Sequence, residues 1–344
     1  SLCTQNLTDP TIADGSTAFD AKLWTGTGSS RSITGYGFSP DWAWIKSRSG
    51  AYVHYLVDTV RGAQNRLSSD NTNAEATNAQ SLTAFNSDGF SLGNEQAVNE
   101  NSSTYVGWAW DAGASTASNT DGSITSSVRA NASAGFSICT YTGSTGNQSF
   151  GHGLNAAPKF IVIKNRSTAA NWFAMVDIGT TYLKYGHLNT TDAFGDATAQ
   201  SVSSSTVTLG NNNAWFGANG DNYVAYCFAP VAGYSAFGTY TGNGSADGPF
   251  IFTGMRPRWL LIKKYDSGAN NWYILDTERD TYNAAVNDLY ADNSNAENAF
   301  TGATFDILSN GFKVRTTEGS INSNGASVFY AAFAEHPFKT ARAR

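Results

Sequence analysis

WAWIK at residues 42–46, FIVIK at 160–164 and WLLIK at 259–263 are the stretches on which the fold turns. Each is apolar at consecutive residues and closes on a lysine. Side chains along a strand point alternately to its two faces, so a strand that is apolar on both lies in mid-sheet with both faces covered. Working outward, other marks recur at the same offsets. Trp24-Thr25-Gly26, Tyr141-Thr142-Gly143 and Tyr240-Thr241-Gly242 stand before the lysine strands, and YLVD (55–58), AMVD (174–177) and YILD (273–276) follow them. The offsets from first to second copy are 117, 118 and 119 residues, and every offset from second to third is 99. Late in each copy GFSLG (89–93), TVTLG (206–210) and GFKVR (311–315) correspond, and the copies close on YVGWAW (105–110), YVAYCF (223–228) and FYAAFA (329–334). Self-similarity at a fixed period is the signature of a repeated structural unit.

The register divides the chain into a lead segment (1–18), a first repeat (19–113), a linker rich in Ser, Ala and Asn (114–133), a second repeat (134–231), a third repeat (232–338) and a basic tail (339–344). Within the linker, SITSSVRA (123–130) alternates well enough to add an edge strand. Only PVAGY (230–234) joins the second and third repeats, so these are expected to form a stiff pair while the first swings more freely. The repeats consist of short segments dense in β-branched and aromatic residues, broken every eight to twelve residues by turn chemistry. Asp88-Gly89 and Asn310-Gly311 read as hairpin turns, with glycine accepting a positive φ. NTNAEATNAQSLTAF (71–85) is the best candidate for one short helix. The expected class is all-β: three tandem antiparallel β-sandwich domains of jelly-roll or lectin-like type.

Composition narrows function. Hydrophobic residues make up 41% of the 344, enough for several cores, whereas charged residues are only 14%. A net charge of −6 argues against phosphate-backbone binding as the main business, so no nucleic-acid partner is expected. No apolar run has the length of a membrane-spanning helix, so membrane insertion is not expected either. The N-terminal stretch SLCTQNLTDPTIADGS lacks the basic start and apolar run of a signal peptide, and the expectation is that it continues a longer product. His54, His152, His187 and His336 have no ligand spacing and read as surface or strand filler. The recurring Asp58, Asp177 and Asp276 are followed by Arg61 and Arg279 in two copies, which suggests a structural Asp bonding a turn or its Arg. No second recurring acid faces them as glycoside hydrolysis would require, so neither catalytic residues nor a cofactor is expected. SDNTNAEA (69–76) and ADNSNAEN (291–298) offer hard oxygen donors of the kind calcium takes, but the same residues cap turns, and no metal site is assigned. Cys139 and Cys227 are expected as buried free thiols.

One loop invites a ligand. Val98, Phe216 and Ile321 are apolar plugs seven, seven and eight residues before Tyr105, Tyr223 and Phe329. The second copy adds an indole: NNNAWFGANGDN (211–222) sets Trp215 among Asn211, Asn213 and Asp221, a ring and amides of the kind that grip a sugar.

Several stretches resemble repeat-bearing proteins encoded by marine tailed bacteriophages: GFSPDWAWIKSR (37–48), VDTVRGAQNRLSSDNTNAEATNAQSLTAFNSDGFSLG (57–93), YVGWAWDAG (105–113), GHGLNAAPKFIVIKNR (151–166), YVAYCFAPVAGYSAFGTYTGNGSADGPFI (223–251) and AAFAEHPFKTARAR (331–344). Those proteins are identified as tail-fibre or other virion structural proteins, often with a SPRY-like β-sandwich upstream. The resemblance implies a non-enzymatic virion protein, a tail fibre, head fibre or capsid decoration. Such a protein assembles in the host cytoplasm and is displayed on the particle surface. Its partners would be other virion proteins, further copies of itself with a trimer favoured, and a host-surface glycan. A lectin-like glycan-binding module is the alternative, and a polysaccharide depolymerase a third reading.

Overall fold

The lysine strands form where both faces find apolar cover. Trp42–Ser47 and Phe160–Asn165 are buried at every residue, as is Trp259–Lys263 within the longer strand Met255–Lys264. Each lies between a closing strand (Thr104–Trp110, Asn222–Phe228, Ser327–Pro337) and a VD strand (Tyr55–Asp58, Phe173–Val176, Tyr273–Asp276). An opening strand (Phe19–Thr25, Phe136–Thr142, Ser235–Thr241) pairs on the far side of each closing strand. The order opening–closing–lysine–VD therefore occurs three times, antiparallel throughout. The computed structural model describes residues 9–210, 213–299 and 304–341. Within them the chain is almost entirely antiparallel β-sheet. Its helical content is one 3-10 turn at Gly15–Thr17 and two four-residue turns at Gln96–Asn99 and Gly319–Asn322. The helix expected within 71–85 is absent; Ala76–Thr77 and Leu82–Asn86 pair as strands there.

One face of each four-stranded unit meets a three-stranded sheet. In the first repeat, Ile45, Val57 and Tyr105 pack on Ile33, Phe90 and Leu92 of the sheet formed by Arg31–Ile33, Gly89–Leu92 and Leu82–Asn86. Ile45, Ile163 and Ile262 are fully buried at the same place, opposite Tyr55, Phe173 and Tyr273. Gly89 and Gly311 do follow hairpin turns, but not because of a positive φ, which neither has. A Cβ on either would sit 1.9 Å from a neighbouring strand's carbonyl, of Ile33 or Ile251, so the glycines are needed for close approach. The pairing also corrects one equivalence: Val328, not Phe329, is opposite Tyr240 and Lys264 as Tyr105 is opposite Trp24 and Ser47. The plug-to-strand spacing is then seven in all three copies.

The other face of each unit turns inward on a core common to all three repeats. Trp42, Trp44, Trp108 and Trp110 from the first meet Phe160, Val162, Tyr226 and Phe228 from the second and Trp259, Leu261 and Phe333 from the third. Trp42 stacks on Tyr226 at 4.3 Å and Trp110 meets Trp259 edge-on at 5.7 Å, both across repeat boundaries. A cavity of about 10 Å³ within this core is lined by apolar atoms alone, so it stays dry. Each fully buried large apolar side chain contributes about 1.5–3 kcal/mol. Unpacking one repeat would therefore expose a surface that no short linker compensates. The freedom expected of the first repeat is not found, because its tryptophans Trp42, Trp44, Trp108 and Trp110 are buried in this core. Half of the linker is sheet as well: Ser126–Asn131 pairs with Phe136–Thr142 and is backed by Thr116–Asn119. The strand read in 123–130 is present, but the edge of the sheet is Thr116–Asn119 and not this strand.

Candidate functional site

The chemically distinctive side chains gather where one repeat meets the next. At the seam between the first and second repeats, Asp58 Oδ1 accepts the backbone N–H of Val60 and Arg61, and Oδ2 accepts Arg61 Nε at 2.5 Å and the Tyr226 hydroxyl of the second repeat at 2.8 Å. Arg61 donates onward to Glu75 at 2.8 Å, and Glu75 takes a two-pronged pair of bonds from Arg166 of the second repeat, at 2.8 and 3.0 Å. The seam between the third and first repeats repeats this arrangement. Asp276 holds Arg279 and receives Trp108 Nε1 at 2.9 Å, Arg279 donates to Glu297 at 3.0 Å, and Glu297 receives Arg48 at 2.7 and 2.9 Å. Both Asp–Arg pairs have no side-chain exposure. Burial raises the Asp276 carboxyl, but the Arg279 charge and hydrogen bonds outweigh it and hold the group below its ordinary value. Glu75 and Glu297 are likewise held low against burial, Glu75 first by its bond to Arg166 and Glu297 first by its bond to Arg48.

The third seam uses other chemistry. Position for position, Asp177 lacks the arginine and pairs instead with Lys159 at 2.7 Å, half-exposed. Phe194 stands where the glutamates stand and Tyr265 where the arginines stand, and their rings stack at 5.4 Å. The backbone contact is common to all three seams: Glu75 N to Arg166 O, Glu297 N to Arg48 O and Phe194 N to Tyr265 O, at 3.0, 2.7 and 2.9 Å.

A second set of contacts runs round the same ring. Trp172 Nε1 donates to Ser68 O, Trp272 Nε1 to His187 O and His54 Nε2 to Tyr290 O, each from one repeat to the next at 2.8, 3.0 and 2.9 Å. His54 thus stands in the place of two tryptophans. It accepts Trp44 Nε1 at 2.8 Å on its other nitrogen, and burial followed by the Lys46 charge pushes it down to about 3, so it is neutral. Reading it as surface or strand filler was wrong, and His152 is also buried. Lys46, Lys164 and Lys263 are buried too, their tips on backbone carbonyls of Ser47, Asn165 and Asn270, and burial lowers each to about 8.

One family model runs unbroken from residue 14 to residue 337, through all three repeats and both joints. The chain belongs to that family, DUF7483, a domain of unknown function. No curated protein matches it.

The acidic loops of this DUF7483 chain work as seam clasps. Asp70 and Asp292 accept the backbone N–H of His54 and Trp272, while Glu75 and Glu297 reach the neighbouring repeat. Asn71 and Asn293 close local turns onto Asn73 and Asn295, as the capping reading expected. Among the described residues no three His, Cys, Asp or Glu side chains converge as metal ligands. Cys139 and Cys227 are free, buried and on neighbouring strands.

Of the sugar-loop residues, Asn211 lies outside the described residues. Trp215 is half-buried on its own repeat, 4.5 Å from the His187 ring and stacked at 6.2 Å on Phe173. Asn213 accepts the backbone N–H of Trp215, and Asp221 braces Asn165 and Thr168. The loop joins Asn213 to Trp215 and engages Asn213 Oδ1 and Asp221 Oδ2 in its own bonds.

The Asp–Arg bond was legible in the sequence; its partners across the seam were not. A signal for them existed: the two copies with DTxR are the two with D-N-x-N-A-E, and the copy lacking one lacks both.

Proposed function

We propose that this chain is a non-enzymatic structural protein of a bacteriophage virion, a tail fibre, head fibre or capsid decoration. In it, three tandem β-sandwiches of jelly-roll or lectin-like type close into one body. One observation supports the reading most: the acid–arginine pairs that are buried without side-chain exposure are engaged in holding repeats together. Asp58, Arg61, Glu75, Asp276, Arg279 and Glu297 are all paired within the seams. Such a closed ring suits a part that must stay rigid on the outside of a particle. Gold-labelled antibody against the chain should decorate intact particles at one fixed position in electron micrographs. Particles lacking the chain would overturn the proposal, and release of reducing ends from host capsule, abolished by changing one carboxylate, would replace it with a depolymerase.

Assembly into a homotrimer and contact with other virion proteins belong to the same proposal. The trimer rests on the resemblance alone. Light scattering at micromolar concentration decides the copy number. A lectin-like reading rests on the partly exposed Trp215 indole: Trp215→Ala should weaken binding to host glycans at least tenfold with the fold unchanged, and equal binding would remove this site.

A further inference from the structure

The second repeat shows how the open side of a repeat is closed. In its opening strand the N–H and C=O groups of Phe136, Ile138 and Thr140 face away from the closing strand, and Ser126–Asn131 pairs with them. The covering segment also spans the gap to the second sheet: Ser126 donates to Gly151 O at 2.7 Å, Ser123 N to Ser149 Oγ at 3.1 Å, and Ile124 bridges Phe150.

Among the described residues the first repeat has no such strand, but side chains cap part of the same edge. Asp20 accepts Ala21 N, Arg258 donates to Ala21 O and Arg31 donates to Thr25 O.

In the third repeat the bonds Gly242 N to Ala326 O and Ala334 N to Tyr234 O turn the even-numbered residues toward the closing strand. Phe237, Thr239 and Thr241 therefore face outward, and among the described residues nothing bonds their backbone groups. The strand SAFGTYT (235–241) carries none of the charges or prolines that usually protect an edge. The five residues 230–234 leave no chain for a cover like the second repeat's. The adjoining rim differs in the same sense. Where the second repeat has Ser149 and Gly151 and the first has Ser32 and Thr34, the third has Phe250 and Phe252, which are 46% and 60% exposed.

We propose that the edge Ser235–Thr241 with the Phe250–Phe252 rim is a strand-acceptor site. It takes an extended segment of another protein, antiparallel to the opening strand, in the position that Ser126–Asn131 holds in the second repeat. The main-chain bonds go to Phe237, Thr239 and Thr241, and apolar side chains at alternate positions of the incoming strand cover Phe250 and Phe252. The interface would continue the one the chain already makes with itself one repeat earlier. A second copy of this chain is a poorer fit. The side chains that its own strand 235–241 would turn toward the rim are Ala236, Gly238 and the buried Tyr240, which cannot cover two phenylalanines.

Random dodecapeptides displayed on a particle and selected on the whole chain test this. Selected peptides should carry apolar residues at every second position, and a synthetic copy should slow amide exchange at Phe237, Thr239 and Thr241. Thr239→Pro removes an outward N–H without touching the ladder to the closing strand, and should weaken the peptide at least tenfold. Phe250→Ser with Phe252→Gly, which installs the second repeat's residues, should do the same through the rim alone. Selection of no alternating peptide, or binding indifferent to both variants, overturns the site. A wild-type dimer dissolved by Thr239→Pro would overturn the assignment to another protein and give the edge to a second copy. None of these outcomes depends on whether the chain is found in a virion.

Discussion

Two seams of this ring are held by buried carboxylate–arginine relays and the third by stacked rings on the same backbone frame. Asp58–Arg61–Glu75–Arg166 and Asp276–Arg279–Glu297–Arg48 are the polar seams, and Phe194–Tyr265 is the apolar one. The shared elements are the backbone hydrogen bond at each seam and the ring N–H donor that crosses it. Closure is thus set by backbone geometry and the common aromatic core, while the relay is one of two interchangeable fillings. What differs is the consequence of damage. A relay stripped of one member leaves charges buried without partners, whereas a ring pair stripped of one member leaves a gap.

The sharpest way to break the comparison is Arg279→Ala, which strands Asp276 and one side of Glu297 in the interior and should cost about 3–5 kcal/mol in urea unfolding. A loss below about 1 kcal/mol would mean that water reaches the seam. Phe194→Ala, at the equivalent place in the apolar seam, should cost about 2–3 kcal/mol, because the ring is only partly buried. If it costs more than Arg279→Ala, the ranking of the seams is wrong. Tyr226→Phe removes one donor from Asp58 while Arg61 remains, so about 1–2 kcal/mol is expected. Asp177→Ala breaks only the half-exposed pair with Lys159 and should cost less than about 1 kcal/mol.

A separate expected effect is the dependence on pH. Lys46, Lys164 and Lys263 titrate at about 8 when folded against 10.5 for a free lysine. Between those values the unfolded chain holds more protons, so stability should rise with pH. Buried tyrosines such as Tyr226, raised above 10.0, oppose this once the unfolded chain begins to lose phenol protons. The urea midpoint should therefore climb between about pH 8 and 10. A flat midpoint would show that the lysine tips are solvated in the folded state.

Much of the strand plan was legible because strand pairing is written in a two-residue period and in marks repeated three times. Ile45, Ile163 and Ile262 could be placed without coordinates for that reason. The inward face of Trp42, Trp110, Phe228 and Trp259 could also be read as buried, but not as buried against one another. Hydrophobicity specifies removal from water and says nothing about which apolar surface supplies the cover. The same limit hid the seams: Tyr226 and Asp58 lie 168 residues apart, and neither carries a local pattern that names the other. His54 was misread because its neighbours Val53 and Tyr55 make an ordinary strand entry; the carbonyl it reaches belongs to another repeat. Gly89 was read through a turn rule, when its reason is a carbonyl on a strand more than fifty residues earlier in the chain.

The sequence by itself determined that this chain is β-rich, threefold repeated and low in charge, because those properties are local or periodic. Only the tertiary structure decided that the three repeats share one core, that two acid–arginine relays and one aromatic pair close it, and that among the described residues the third opening strand is left with neither a covering strand nor side-chain caps. Those are properties of surfaces, and a surface exists only after the strands have paired and each repeat has met its neighbours.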